Sequence, residues 1–417
     1  MLFFSRRFLP LFLTQFLGAF NDNLFKNALV MLVIFRASGG QDAQAFVTLA
    51  TGLFMLPYFL FSATAGQLAD KYARAELSRV IKLVEILLAL FASAGFFTGH
   101  VMFLMIVLFW LGTQATFFGP IKYALLPQHL KEDELLTGNA WIEGGTFLAI
   151  LLGTICGGLL ILQPQGAALT SALMIACAVG GYIVSRYIPP APAPEPALCI
   201  RWNIFKETIH ILHFARRDRT VFVAILGISW FWLLGGAFLS QFPAYAKDIL
   251  HADETVVTLF LTVFSLGIGI GSMLCSALSK GHIRLSYVTT GMIGISFFTT
   301  DFYDASQHAF LLDTNLASAH AFIAHAANLR ILTDLFFISV CGGLYIVPLY
   351  ALIQSKSPAE QRARIIAANN VINSLFMVIS ALLIVFLLKL KFTIPEIFLT
   401  LAIANCVATV YVYSRLK

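Results

Sequence analysis

Gly66-Gln-Leu-Ala-Asp70-Lys71-Tyr-Ala-Arg74 is a short polar break between two apolar runs, 43–68 and 78–99. Each run is long enough to cross a hydrocarbon core, which takes about 20 residues. The break is therefore a tight connection at one membrane surface. Gly66 lets a neighbouring helix come close, and Asp70 can accept hydrogen bonds from the positive end of such a helix. Lys71 and Arg74 can bridge to a later part of the chain. Gly66, Asp70, Lys71 and Arg74 are together expected to latch one conformation.

Outward from this break the same pattern recurs. Twelve apolar runs are legible, at 8–35, 43–68, 78–99, 101–118, 138–163, 166–188, 220–246, 254–278, 283–300, 331–354, 366–390 and 393–414. The 417 residues are 59% hydrophobic and 12% charged. Soluble domains carry about a quarter charged residues, so lipid must cover most of this surface. Backbone groups in lipid have to be satisfied within each segment, and runs of this length do not alternate as strands would. The fold class that follows is an all-α membrane protein of twelve transmembrane helices. Phe occurs 39 times, which suits a lipid-facing or chain-binding surface. The run 8–35 is too long for a signal-peptide core and contains Asn21, Asp22, Asn23 and Lys26, so it is expected to stay in the protein. The six cysteines are scattered singly and read as apolar packers, with neither a disulfide framework nor a metal site.

The net charge of +6 marks topology and leaves no nucleic-acid footprint. With the N-terminus inside, Arg6, Arg7, Lys71, Arg74, Arg79, Lys82, Lys122, Lys131 and most later bases fall on the cytoplasmic side. Only Lys26, Arg36, Lys247, Arg330, Lys389 and Lys391 fall within the membrane or outside it. The positive-inside rule then places both termini in the cytoplasm.

The longest cytoplasmic connection, 189–219, opens with Pro189, Pro190, Pro192, Pro194 and Pro196, then turns basic, with an amphipathic helix expected over 202–217. It separates two bundles of six helices, 1–188 and 220–417. A second long connection, 301–329, holds Asp301, Asp304, His308, Asp313, His320 and His325, and reads as a solvated extracytoplasmic loop. The halves look like repeats. Pro120-Ile-Lys-Tyr-Ala-Leu-Leu ends the fourth helix much as Pro348-Leu-Tyr-Ala-Leu-Ile ends the tenth, and Asn139 to Glu143 opens the fifth as Asn369 to Asn373 opens the eleventh. Parallel repeats imply a substrate path between pseudo-symmetric halves.

The break at Gly66–Arg74 resembles the signature G-x-L-a-D-R/K-x-G-R of the major facilitator superfamily, with Ala73 where that family usually has Gly. A closer resemblance covers essentially the whole chain. Gln15-Phe-Leu-Gly-Ala-Phe-Asn-Asp22-Asn23, Gly119-Pro-Ile-Lys122-Tyr123-Ala, Leu136-Thr-Gly-Asn139-Ala-Trp-Ile-Glu143 and Gly342-Gly-Leu-Tyr-Ile-Val-Pro348-Leu look like the bacterial lysophospholipid transporters. They are closest to the transporter module that some bacteria fuse to an acyltransferase and an acyl-carrier-protein ligase. The resemblance implies a major facilitator fold and inward movement of lysophospholipid, chiefly lysophosphatidylethanolamine, across the bacterial inner membrane for reacylation. It also implies membrane lipid and a cytoplasmic acyltransferase/acyl-carrier-protein ligase as partners, with no cofactor. Residue by residue, Asp22 and Asn23 match the first motif, Lys122 the P-x-K-Y lysine, and Asn139 and Glu143 the N-G/A-x-x-E motif. Ser229-Trp-Phe-Trp232 departs from it, because no basic residue follows the Phe-Trp pair.

The residues carry their own physical reading. Asp22 lies about 21 Å along its helix, near mid-bilayer, where a carboxylate costs roughly 2.5–3.5 kcal/mol and needs a partner or a wet cavity. Lys26 follows one turn later, so Asp22 and Lys26 are either a self-neutralising pair or, with Asn23, the lining of a zwitterion site. An ammonium would suit Asp22, and a phosphate Lys26 or Lys122. Glu143 either reaches the interface or lines the cavity. Asn370 reads as interhelical glue, while Asn139, Asn369 and Asn373 read equally as glue or as cavity lining. Trp230 and Trp232 cannot share a helix face, so one is expected toward lipid and the other toward the cavity. The substrate-binding set is thus Asp22, Asn23, Lys26, Lys122, Asn139, Glu143, Asn369 and Asn373. No nucleophile elbow, Walker loop or acyltransferase motif is present, so the chain is expected to be a monomeric transporter and no enzyme. A proton-coupled exporter of drugs or metabolites and a membrane scaffold for an acyltransferase are the alternatives.

Overall fold

The computed structural model describes residues 2–36, 40–311 and 316–416. Asp313 and Lys417, and the side chain of Arg36, lie outside the described residues. The helices are α1 (Leu9–Arg36), α2 (Gly40–Lys71), α3 (Arg74–Thr98), α4 (Val101–His129), α5 (Leu135–Ile161), α6 (Gly166–Ser185), α7 (Ile204–Ala215) and α8 (Arg219–Ala244). Then follow α9 (Glu254–Ser279), α10 (Leu285–Gln307), α11 (Ala319–Ile323), α12 (Ala326–Lys356), α13 (Arg362–Lys389) and α14 (Ile394–Leu416). Among the described residues ten helical spans are long and apolar enough to cross a membrane. The other two long helices are α1, with 28 residues, and α10, with 23; both carry acidic residues, Asp22 in α1 and Asp301 and Asp304 in α10. With these two, the long helices match the twelve read from the sequence.

Two stretches depart from the expectation for physical reasons. The apolar run read as the fourth helix stops at 118, with the Pro120 motif at its end, yet α4 runs on through Pro120 and Pro127 to His129. Proline removes one backbone bond and bends a helix, but a helix flanked by others in a membrane tolerates it, and α4 packs against both α2 and α3. The loop expected at 301–329 is partly helical. α10 continues to Gln307 because Arg330 of α12 binds its two acids, Nε to Asp301 at 3.1 Å and Nη1 to Asp304 at 2.9 Å. α11 forms within the same stretch, and the ring of His325 stacks on Phe310 with centroids 3.7 Å apart. The amphipathic helix expected after the prolines is α7, capped by the Asn203 side chain accepting from the Lys206 amide.

The chain clusters into two compact units. The first comprises Met1–Gly138, Leu148–Arg217 and Ile353–Ser374; the second comprises Asn139–Phe147, Asp218–Leu352 and Leu375–Lys417. In the first, α2 packs on α4, and α1 and α3 both pack on α6, around Leu24, Phe25, Ala89, Phe96, Leu108 and Met174. In the second, α10 packs on α14, and the core is aromatic. Phe238 stacks on Phe398 at 4.5 Å, with Phe242, Phe260 and Phe302 packed around them. Many of the phenylalanines are therefore core residues rather than lipid-facing ones.

α3 shows how the sequence places its polar groups. Val80, Leu83, Val84, Leu87, Leu90 and Phe91 form its exposed stripe, while Ser78, Lys82, Glu85, Ala89, Ala92 and Phe96 are buried. In lipid, the apolar face turns outward and the charges turn in. Lys82 is 1% exposed inside the bundle, which corrects its assignment to the cytoplasmic surface.

Candidate functional site

In the first unit a polar centre sits among α1, α3 and α4. Asp22 is 9% exposed, and its Oδ1 has no hydrogen-bond partner. Lys26, one turn away and either its neutralising neighbour or part of a zwitterion site by the sequence, places its amine over the Phe54 ring, 5.8 Å from the centroid. No ion pair joins Asp22 to Lys26 among the described residues. Lys82, Glu85 and Lys122 complete the charges around Asp22. Asn23 turns back on its own helix, donating to the Ala19 carbonyl at 2.8 Å.

The charged neighbours of Asp22 on α3 are not among the site residues read from the sequence. The Lys82 Nζ lies 2.5 Å from Glu85 Oε2 and 4.9 Å from the centre of the Phe118 ring. The Glu85 carboxylate also accepts from Gln114 Nε2 at 2.9 Å and from Asn21 Nδ2 at 3.2 Å. One carboxylate thus ties α1, α3 and α4 together at the level of Asp22. An acid and a base three residues apart inside an apolar run would have revealed this pair.

The latch residues also meet in the first unit. The Asp70 carboxylate is fully buried and accepts from Arg74 Nη2 at 2.8 Å, from the Ala363 and Arg364 amides at 3.2 Å each, and from Arg364 Nε at 3.1 Å. Those amides open α13, so the carboxylate caps a positive helix end. A Cβ on Gly66 would lie 2.7 Å from the Ala367 Cβ and 2.9 Å from the Arg364 Cα, so a glycine is what permits this approach. Lys71 instead holds the connecting segment, donating to the Leu198 carbonyl at 2.8 Å. The segment is strapped down elsewhere too: Glu195 pairs with Arg364, its amide reaches the Asp70 carbonyl at 2.9 Å, and Arg201 exchanges bonds with Gln67.

The remaining predicted residues separate. Asn139 and Glu143 on α5 belong to the second unit, and both side chains are fully buried and engaged. One turn further, Phe147 stacks on Trp232 with centroids 6.0 Å apart, and the Trp232 indole donates to the Tyr350 hydroxyl at 3.4 Å. Trp230 donates to Asn405 of α14 at 2.8 Å, so it too is engaged within the bundle rather than turned to lipid. Asn369, Asn370 and Asn373 on α13 belong to the first unit. Asn370 faces Gly119 of α4, as glue would, whereas the buried Asn369 amide has no partner for either atom.

This architecture can be set beside known proteins. The family model of the Major Facilitator Superfamily matches residues 11–381. The chain belongs to the major facilitator superfamily. It is accordingly a multi-pass membrane protein. Curated relatives include the lysophospholipid transporter LplT of Serratia proteamaculans, 27% identical over 361 residues, covering 84% of this chain and 81% of that one. LplT of Klebsiella pneumoniae is 26% identical over 368 residues, covering 85% and 81%. Solved major facilitator structures share the fold. The Escherichia coli fucose:proton symporter FucP superimposes with a TM-score of 0.71 at 14% identity, covering 98% of both chains. The human organic anion transporter MFSD10 gives 0.73 at 12% identity, covering 98% of this chain and 99% of that one.

Proposed function

We propose that this protein is a lysophospholipid transporter that moves single-chain phospholipids, chiefly lysophosphatidylethanolamine, from the outer to the inner leaflet of a bacterial inner membrane. The relatives' names supply the substrate class. The observation that carries the reading to this chain is the buried Asp22 carboxylate with an open oxygen, surrounded by lysines. Opposite charges held at one depth suit a zwitterionic headgroup, with the ammonium on Asp22 and the phosphate on Lys26 or Lys122. Asn369, with its unpartnered amide, is a further headgroup contact in this reading, as are Asn23, Asn139, Glu143 and Asn373.

The acyl chain stays against apolar surface. At about 0.8 kcal/mol per CH₂, drawing a long chain through water would cost roughly ten kcal/mol. The two six-helix halves, 1–188 and 220–417 joined by 189–219, rock in alternating access. Both termini are cytoplasmic, the protein works as a monomer without enzymatic activity of its own, and a cytoplasmic acyltransferase consumes the delivered lipid. The test is leaflet-resolved transfer of labelled lysophosphatidylethanolamine in proteoliposomes. Asp22→Asn and Lys122→Ala are each expected to lower the rate at least about ten-fold, the equivalent of one charge-assisted bond, with the fold retained. Native rates in both variants would remove Asp22 and Lys122 from the site. Lipid left in the outer leaflet by the wild type would indicate a scaffold.

A further inference from the structure

Asp22 keeps an unpartnered oxygen although three lysines surround it, and the reason lies on α3. Lys82 is the buried cation best able to neutralise Asp22, since its whole side chain is 1% exposed and cannot escape to water. It is held instead by Glu85 at 2.5 Å. The seat is built for it. Gly18 on α1 has no side chain, and an added Cβ there would overlap the Lys82 ammonium. The Phe118 ring covers the ammonium from α4. Glu85 is itself fixed by the Gln114 and Asn21 amides, so its position does not depend on Lys82 alone. The other two lysines are placed elsewhere: Lys26 over Phe54, and Lys122 4.7 Å from the centre of the Tyr123 ring with further partners of its own.

We propose that Glu85 is a specificity-determining residue. By occupying Lys82, it keeps the Asp22 carboxylate open for a cationic headgroup, so that the site favours a lysolipid bearing a primary ammonium over one bearing a neutral polyol. This inference rests on the transport reading above. Physically, a carboxylate already paired with a lysine inside the bundle offers little to an incoming ammonium. An open one gains a full charge-assisted bond. Glu85 therefore sets selectivity without touching the substrate.

The experiment compares transfer of lysophosphatidylethanolamine and lysophosphatidylglycerol in proteoliposomes of the full chain, read as the ratio of the two rates. Glu85→Gln retains an acceptor for the Gln114 and Asn21 amides but releases Lys82, which then pairs with Asp22. The ethanolamine-to-glycerol ratio is expected to fall about ten-fold, the loss of one charge-assisted bond. Adding Lys82→Met to Glu85→Gln removes the competing cation and is expected to restore the ratio, which a merely structural role for Glu85 would not do. Lys82→Met alone is expected to keep or raise the ratio, and it serves if Glu85→Gln does not fold. An unchanged ratio in Glu85→Gln, no recovery in the double variant, or a fall in Lys82→Met overturns the proposal while leaving the transport reading intact. A wild type that moves neither lipid overturns the transport reading, and this inference with it.

Discussion

Replacing Asp70 by Asn keeps the shape of the latch and removes its charge. The consequence can be sized from the structure. The carboxylate holds Arg74, itself fully buried, at 2.8 Å, and receives three further bonds from the start of α13. Removing one member of a buried ion pair costs about 3–5 kcal/mol, because the other charge is left uncompensated. Each 1.4 kcal/mol is a factor of ten, so the latched arrangement loses population on the order of 10²-fold to several 10³-fold relative to an open one. Ile366 of α13, 2% exposed, provides a reporter that does not enlarge the packed side chain. In a background with the native cysteines replaced by Ser, Ile366→Cys is expected to react slowly with a membrane-impermeant maleimide while the latch is closed. It is expected to react far faster once Asp70→Asn is added. Gly66→Ala is expected to act in the same direction without any change of charge, because the new Cβ would collide with Ala367 and Arg364. If Ile366→Cys labels at the same rate with Asp70 and with Asn in its place, in protein of native thermal stability, the latch assignment is wrong.

The other expectations concern anchoring. Gln67→Ala removes both bonds to Arg201, so limited proteolysis should cut the Pro-rich segment faster, with little change in thermal stability. Asn405 of α14 links Trp230 on α8 to the Met292 carbonyl and the Ser296 hydroxyl on α10. At about 0.6–2 kcal/mol per interhelical bond in a membrane, Asn405→Ala should lower stability by roughly 2–6 kcal/mol, and Trp230→Phe by about one bond, as measured by thermal unfolding in detergent. A swap of Arg364 for Lys should weaken the latch by less than Asp70→Asn does, since the Asp70 carboxylate keeps Arg74. The Ile366→Cys labelling rate should then fall between those measured with native Asp70 and with Asp70→Asn.

The helices were legible because length and hydropathy are local properties, and the Gly66–Arg74 break was legible because its chemistry is local too. What escaped depended on pairing. Asp301 and Asp304 looked like the start of a loop until Arg330, distant in sequence, was found to bind them. The apolar run of α4 ends at 118, yet the helix carries on through Gly119-Pro120 where α2 and α3 flank it. Lys82 was counted as a topology signal by its sign alone. Its helix face, set by the apolar stripe from Val80 to Phe91, was the information needed to turn it inward. Asp22 was legible as unusual because of its depth, but the sequence left open whether Lys26 neutralises it. The spacing allowed that pair, and the packing of Lys26 over Phe54 prevents it.

The inward charges of α3 also bear on how the chain is made. A lysine at mid-helix opposes translocon insertion by about 2.5–3.5 kcal/mol, and an acid by a similar amount. Lys82 and Glu85 offset one another within a single turn, but the amides that finish dressing the carboxylate arrive at different times, Asn21 before α3 emerges from the ribosome and Gln114 after it. A nascent chain arrested at the end of α3 should therefore linger beside the translocon, detectable by crosslinking. It should be released into the bilayer once α4 is synthesised, and more slowly when Gln114 is changed to Leu.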